Sequence, residues 1–188
     1  MHLKRFIDLL LCLLSVFVLM TPIILTWIIV KFSSKGPALY WSDRVGQNNK
    51  IFRMPKFRSM RMDTHIIATH LLKNPESFLT PVGSFLRKSS LDELPQLWSI
   101  LKGDMSFVGP RPALYNQNYL IALRTKNGVE KLLPGLTGWA QVNGRDDISI
   151  KKKVALDIEY MCRQSICFDF VILWMTLLKV LKRESVSH

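Results

Sequence analysis

Two acids stand side by side at Asp92-Glu93, in the run Ser89-Ser90-Leu91-Asp92-Glu93-Leu94-Pro95-Gln96-Leu97-Trp98. Leu91, Leu94, Leu97, Trp98 and Leu101 keep helical spacing, so the pair sits where a helix begins. Ser90 to Glu93 fits a capping box, in which Glu93 would serve only to close the helix end. Pro95 favours a later start, with Asp92 as the cap and the proline at the third helical position, where its missing N–H costs nothing. On either reading both carboxylates lie in the field of a helix N-terminus, which keeps a carboxylate ionised and also draws phosphate. An ionised carboxylate beside a phosphate acts as a metal ligand or as a nucleophile. Neighbours in sequence diverge by about 100° on a helix, so this pair cannot face each other across a glycosidic bond as in a typical glycosidase.

Cations follow at spacings that suit phosphate. Prolines on both sides of Arg111, in Gly109-Pro110-Arg111-Pro112, stiffen the backbone and present one guanidinium, an arrangement fit for bidentate phosphate binding; an idle surface turn is the bland alternative. Leu133 to Arg145 is punctuated by Gly135, Gly138 and Gly144, which suggests backbone approaching a ligand closely, with Arg145 at the exit. Lys56, Arg58 and Arg61 fall within six residues, and Arg87-Lys88 close an apolar helix that Thr80-Pro81 would start. Cys12, Cys162 and Cys167 lack metal spacing and are odd in number, which suits a reducing compartment without disulfides, and His65 and His70 have no companion cluster.

The elements that must position these groups begin in a membrane. The chain has 188 residues, a net charge of +12 and 48% apolar residues, enough for one domain with a real core, and disorder and disulfide scaffolds are excluded. Leu9 to Val30 is 22 residues without a charge. As a helix it would reach roughly 33 Å, enough to cross a bilayer core. No cleavage site follows, so it reads as a retained anchor. Lys4-Arg5 and Lys31/Lys35 flank both ends, and the positive-inside rule would put both in the cytoplasm. Thr21-Pro22 in the middle predicts a bend that allows entry and exit on one face; a kinked spanning helix is the alternative. Further on, strands at 38–41 and 50–54 around a turn at 46–49, helices over 91–101, 113–132 and from Asp146-Asp147 to Tyr160, and an apolar helix from Phe168 to Arg183 at the interface or on the core are expected. Residues 63–79 read as a helix and a loop, and Lys151-Lys152-Lys153 as a solvated or headgroup-facing run. The basic surface beside an anchor favours anionic headgroups and phosphorylated substrates; nucleic acid is disfavoured, because neither zinc-finger spacing nor an aromatic-basic RNA motif is present.

Lys56-Phe57-Arg58-Ser59-Met60, Ser90-Leu91-Asp92-Glu93-Leu94-Pro95-Gln96-Leu97, Lys102-Gly103-Asp104-Met105-Ser106, Gly109-Pro110-Arg111-Pro112 and Gly135 to Arg145 resemble, in order and spacing, the bacterial sugar transferases known as monotopic phosphoglycosyl transferases. The resemblance runs from about Lys4 to Lys182 and is nearest to the minimal members of that family, such as the transferase of the Campylobacter N-glycosylation pathway. It implies an α+β, mostly helical fold with a re-entrant helix-break-helix over 1–34 and a cytoplasmic catalytic domain over 35–188. It implies transfer of a sugar 1-phosphate, of an N-acetylated amino sugar, from a UDP-sugar to polyprenyl (undecaprenyl) phosphate with release of UMP, at the cytoplasmic face of the inner membrane, as the first membrane step of a surface glycan.

In that family the aspartate, here Asp92, is nucleophile and Mg2+ ligand, and Glu93 would deprotonate or orient the incoming polyprenyl phosphate. Arg111, Arg145, Arg87 and Lys56 would then hold phosphate or nucleotide, while Arg58 and Arg61 are free to pair with structural acids or lipid. The assembly is left open between a single chain and a homodimer. Two other classes compete: a membrane-anchored basic lipid-binding module without catalysis, and an ordinary nucleotide-sugar glycosyltransferase, which would release UDP.

Overall fold

The computed structural model describes residues 2–62, 75–144 and 148–182. Its first element, α1 (His2–Ser33), is a single helix that continues through Pro22. It is long and apolar enough to cross a membrane by length and composition. Helical turns run on both sides of Pro22, where proline removes one hydrogen bond and is the place for a bend in the axis. Its outward side, with Phe6, Leu13, Phe17, Leu25 and Trp27, is exposed, and this apolar surface marks the chain for a membrane.

The other side of α1 lies on the rest of the chain along its whole length. Cys12 packs with Met54, Leu97, Ile100 and Met105, and Val30 with Ala38, Phe57 and Leu86. Near the start, Arg5 donates to the carbonyls of Ile100 and Leu101 at 2.6 and 2.9 Å, and the buried Asp8 accepts from Ser106 Oγ and the Phe107 N–H at 3.1 Å each. Lys4 pairs with Asp169, whose other oxygen accepts from Tyr160 Oη at 2.7 Å. Past the other end, the buried Arg58 donates to the carbonyls of Ser34 and Lys35. There a guanidinium meets the negative end of the helix, so Arg58 caps α1 instead of pairing with an acid or lipid.

Strands β1 (Leu39–Val45) and β2 (Ile51–Phe57) form the expected hairpin, longer than predicted, with Tyr40 opposite Lys56 and Val45 opposite Ile51. Asn48 and Asn49 take positive φ at its turn, where asparagine is tolerated. Helix α2 (Gly83–Ser89) starts later than Thr80, whose hydroxyl bonds to the Ser59 carbonyl rather than capping. The expected helix over 91–101 is divided into a 3-10 turn, Leu91–Gln96, and α3 (Leu97–Lys102). Of the stretch 63–79, residues 63–74 and with them His65 and His70 lie outside the described residues, and Pro75–Phe78 is a 3-10 turn.

Strand β3 (Ser106–Val108) runs parallel to β4 (Gly135–Thr137), with Ser106 opposite Gly135 and Val108 opposite Thr137. Gly109 and Gly135 are required here: a Cβ on Gly135 would lie 2.1 Å from the Gly109 nitrogen, and one on Gly109 2.3 Å from the Leu133 carbonyl oxygen. Between the strands, α4 (Asn118–Lys126) is shorter than the predicted 113–132, because Gln117 Oε1 takes the Leu114 N–H into a turn and Gly128 at φ +78° ends the helical run. After β4 come α5 (Trp139–Val142), α6 (Ile150–Arg163) and α7 (Ile166–Lys182). Helix α6 is capped by Ser149 Oγ; the expected opening at Asp146-Asp147 falls, with Arg145, outside the described residues. Helix α7 buries Phe168 and Ile172 against Val108, Val142 and Tyr160, and exposes Phe170, Val171 and Trp174. Burying a side chain such as Ile172 contributes roughly 1.5–3 kcal/mol, so α7 is held by its inner face and leaves the outer one apolar. Cys12 is buried, Cys162 and Cys167 are exposed, and all three are free thiols.

Candidate active site

The 3-10 turn holds Asp92 and Glu93 against β2, and neither makes a capping box. Ser90 sits at φ 57°, ψ 15° and its side chain caps nothing, while the Glu93 carboxylate is taken by two cations. Lys56 Nζ and Arg111 Nη2 both donate to Glu93 Oε1, at 2.7 and 3.0 Å. Lys56 reaches it from β2 and Arg111 from the proline-bracketed loop that follows β3.

The two acids therefore sit in one cluster with opposite environments. Burial pushes the Asp92 carboxyl up to about 6, with Glu93 adding to the rise and Lys56, Arg87 and Arg111 opposing it. Burial also pushes Glu93 up, but the charges and hydrogen bonds of Lys56 and Arg111 outweigh it and hold the carboxyl well below the usual range. Asp92 is only 7% exposed and accepts no hydrogen bond among the described residues. Lys56 is drawn down by burial and by Arg111, with Glu93 pulling it back up. An ion pair desolvated in this way is weak support for stability, but it fixes both cations in place.

The loop carrying Arg111 is braced from behind. Arg124 on α4 donates to the Arg111 carbonyl at 2.8 Å, and its Nε and Nη2 go to Asp157 Oδ2 on α6 at 2.9 and 2.7 Å. Asp157 is 2% exposed. The brace joins residues 33 apart, with no local pattern to reveal it in the sequence.

A cavity of about 290 Å3 opens beside Glu93 and Arg111 and runs between α1 at Leu19 and α7 at Leu173. Lys88 and Lys179 line it together with Gln141 of α5. The parallel pairing of β3 and β4 explains the convergence, because the segments after both strands, carrying Arg111 and Gln141, leave the sheet side by side. Of the residues singled out in the sequence, Asp92, Glu93, Lys56, Arg87 and Arg111 are thus brought together, and Arg145 lies outside the described residues. Lys88, Lys179 and the Arg124–Asp157 brace were not foreseen; Gln141 lay within a recognised motif, but with no role.

The family description "bacterial sugar transferase" matches residues 1–183. The chain is 41% identical to the "Uncharacterized sugar transferase EpsL" of Bacillus subtilis, in an alignment that takes in 100% of this chain and 92% of that protein. It is 37% identical to the UDP-glucose:undecaprenyl-phosphate glucose-1-phosphate transferase of Escherichia coli, over 94% of this chain and 40% of that protein. To the undecaprenyl-phosphate galactose phosphotransferase of Salmonella typhimurium it is 36% identical, over 97% of this chain and 41% of that one. The chain thus spans about two fifths of these two larger relatives. The chain belongs to the bacterial sugar transferase family.

Proposed function

We propose that this chain transfers a sugar 1-phosphate from a UDP-sugar to polyprenyl phosphate and releases UMP, through a covalent phosphosugar on Asp92. The observation that carries the reading is the pair of adjacent acids driven apart by their surroundings: Asp92 buried and short of hydrogen bonds, Glu93 locked between Lys56 and Arg111. A carboxylate largely withdrawn from solvent and without donors is a stronger nucleophile than one in water. In the first displacement an Asp92 oxygen bonds to the phosphorus bearing the sugar, and the bond to UMP breaks with its electron pair leaving on UMP. In the second, an oxygen of polyprenyl phosphate takes that phosphorus and frees the carboxylate.

Lys56, Arg87 and Arg111 face the charge that develops on the phosphoryl oxygens. Glu93 is too well stabilised as an anion to take a proton at neutral pH, so its part is to hold Arg111 and Lys56 in position. The residues fit Mg2+: among the described residues no three acids, histidines or cysteines converge, but magnesium is commonly held by one or two carboxylates plus substrate phosphates, and Asp92 has free lone pairs. When bound there it would neutralise charge on the phosphates.

The cavity supports the lipid half of the reading. Its Glu93–Arg111 end is charged, whereas its Leu19 and Leu173 walls belong to the two helices with exposed apolar faces. An amphiphile with a phosphate head suits both ends. Both ends of α1 bind the same domain, through Arg5 at one and Arg58 at the other, which supports a helix that enters and leaves on the cytoplasmic face of the inner membrane.

The test is the nucleotide product. Purified protein in lipid nanodiscs is given polyprenyl phosphate, Mg2+ and UDP-glucose, UDP-galactose or UDP-N-acetylglucosamine; the resemblance favours the last, and relatives' names mention glucose and galactose. UMP from at least one donor is expected, with a mass increase of one sugar phosphate on the protein when acceptor is withheld. UDP would indicate an ordinary glycosyltransferase, and no nucleotide at all a binding module.

A further inference from the structure

We infer that Gln141 reads the sugar of the donor, and that its side-chain amide is a specificity determinant of the reaction proposed above, on which this inference rests. Both polar atoms of that amide, Nε2 and Oε1, are shielded from solvent and have no partner among the described residues. The side chain lines the cavity that Glu93 and Arg111 enter. Three neighbouring polar side chains are already matched: Thr137 and Thr176 bond to each other at 2.7 Å, and Asn143 Nδ2 bonds to the Trp139 carbonyl at 2.8 Å. The backbone also makes room for the amide, since a Cβ on Gly138 would come within 2.7 Å of Gln141 Oε1.

Buried amide groups are hydrogen-bonded in finished structures, so an amide unpaired at both atoms on the wall of this cavity is completed when a ligand turns it inward. Its two atoms restrict that ligand. Nε2 needs an acceptor and Oε1 needs a donor, and a phosphate at neutral pH offers acceptors only. The phosphates are in any case met by Arg111, Lys88 and Lys179 from the same cavity wall. An isoprenoid chain offers neither donor nor acceptor. Sugar hydroxyls and acetamido groups offer both. The uracil ring also offers both, but it is separated from the reacting phosphorus by the ribose and the second phosphate, whereas the sugar is attached directly to the phosphorus that Asp92 attacks. A site that hydrogen-bonds a substrate hydroxyl discriminates strongly against an analogue that lacks it or misplaces it.

The experiment compares the intact protein with Gln141→Met, close in length and shape but without the amide, in nanodiscs with the three UDP-sugars and polyprenyl phosphate. The preferred donor should lose tenfold or more in kcat/KM, and the ratio of kcat/KM between donors should change at least fivefold. Inhibition by UMP should be unchanged, and the melting temperature of the ligand-free protein should not fall, since no protein contact is removed and an unpaired buried amide is relieved. Gln141→Asn, which keeps the amide on a shorter stem, should fold as the parent does and shift the donor ratio as well, so a failure of the methionine variant to fold does not remove the test. Equal losses on all three donors, weakened UMP inhibition, or unchanged kinetics in the variants would overturn the assignment. Absence of UMP from every donor with the unaltered protein is a different result, and it overturns the proposed reaction itself.

Discussion

Arg124 holds the main-chain carbonyl of Arg111, at 2.8 Å, while its other nitrogens are bound to the buried Asp157. A cation bound to Glu93 is thus placed by a second cation behind its loop, and the second is paired with an acid on a third element. Asp157 carries the negative charge of this chain of contacts; burial raises its carboxyl, while Arg124 pulls it back down.

Asp157→Ala leaves Arg124 buried without a counter-charge, and such changes cost about 3–5 kcal/mol. Chemical denaturation should show a loss of that order. A milder Asp157→Asn protein should retain its fold but have a raised KM for the donor, because Arg111 is less firmly placed. Unaltered stability of Asp157→Ala would show that the brace is ornamental.

Asp92→Asn should abolish UMP release and yet stabilise the protein. The folded carboxyl lies near 6, above its unfolded value, so its contribution to stability is present at pH below about 4 and is lost as pH rises through about 6. At neutral pH the folded protein therefore carries a buried anion at a cost on the order of 1–3 kcal/mol, which asparagine removes. In buffer with EDTA the melting temperature of the variant should exceed that of the parent at pH 7 and converge with it near pH 4. A variant less stable at pH 7 would contradict this account of Asp92.

Glu93→Gln keeps the shape of the side chain but removes the charge shared by Lys56 and Arg111. Turnover should fall at least tenfold, on the scale typical of a lost electrostatic contact in a closed site. The pH at which kcat declines on the acid side should stay where it is. If that limb moves, Glu93 is a proton acceptor and the positioning role assigned to it is wrong.

Both ends of α1 should be reachable from one side of the membrane. Single cysteines introduced at His2 and at Lys35, in a protein whose native cysteines are replaced by serine, should react with a membrane-impermeant maleimide in inside-out vesicles and stay unlabelled in intact cells freed of their outer membrane. Opposite labelling of the two positions would make α1 a spanning helix.

Legibility varied with how local the cause was. The hairpin and the apolar first and last helices follow from patterns of a few residues, and all are present, whereas the parallel pairing of Gly135–Thr137 with Ser106–Val108 joins segments with no shared local pattern. Asp92 and Glu93 stood out because two adjacent acids before a helix are chemically conspicuous, but their difference in environment depends on Lys56 and Arg111, 37 and 18 residues from Glu93. Ser90 fitted a capping motif and failed it, because the left-handed turn that brings the chain round from α2 occupies its backbone. Arg58 was expected to pair with a structural acid or lipid and instead binds backbone just past the end of α1, 23 residues away at Lys35.

Lys4 and Asp169 are 165 residues apart and meet at the start of α1. During synthesis the apolar helix leaves the ribosome long before its charged partner, by an interval on the order of ten seconds or more at ordinary translation speeds. Asp8 gains Ser106 and the Phe107 N–H well before that, and Lys4 the Val108 carbonyl, but until Asp169 is made Lys4 has no acid to pair with. The helix therefore meets the bilayer as an unfinished part, and the first turn of α7 fastens it into its seat.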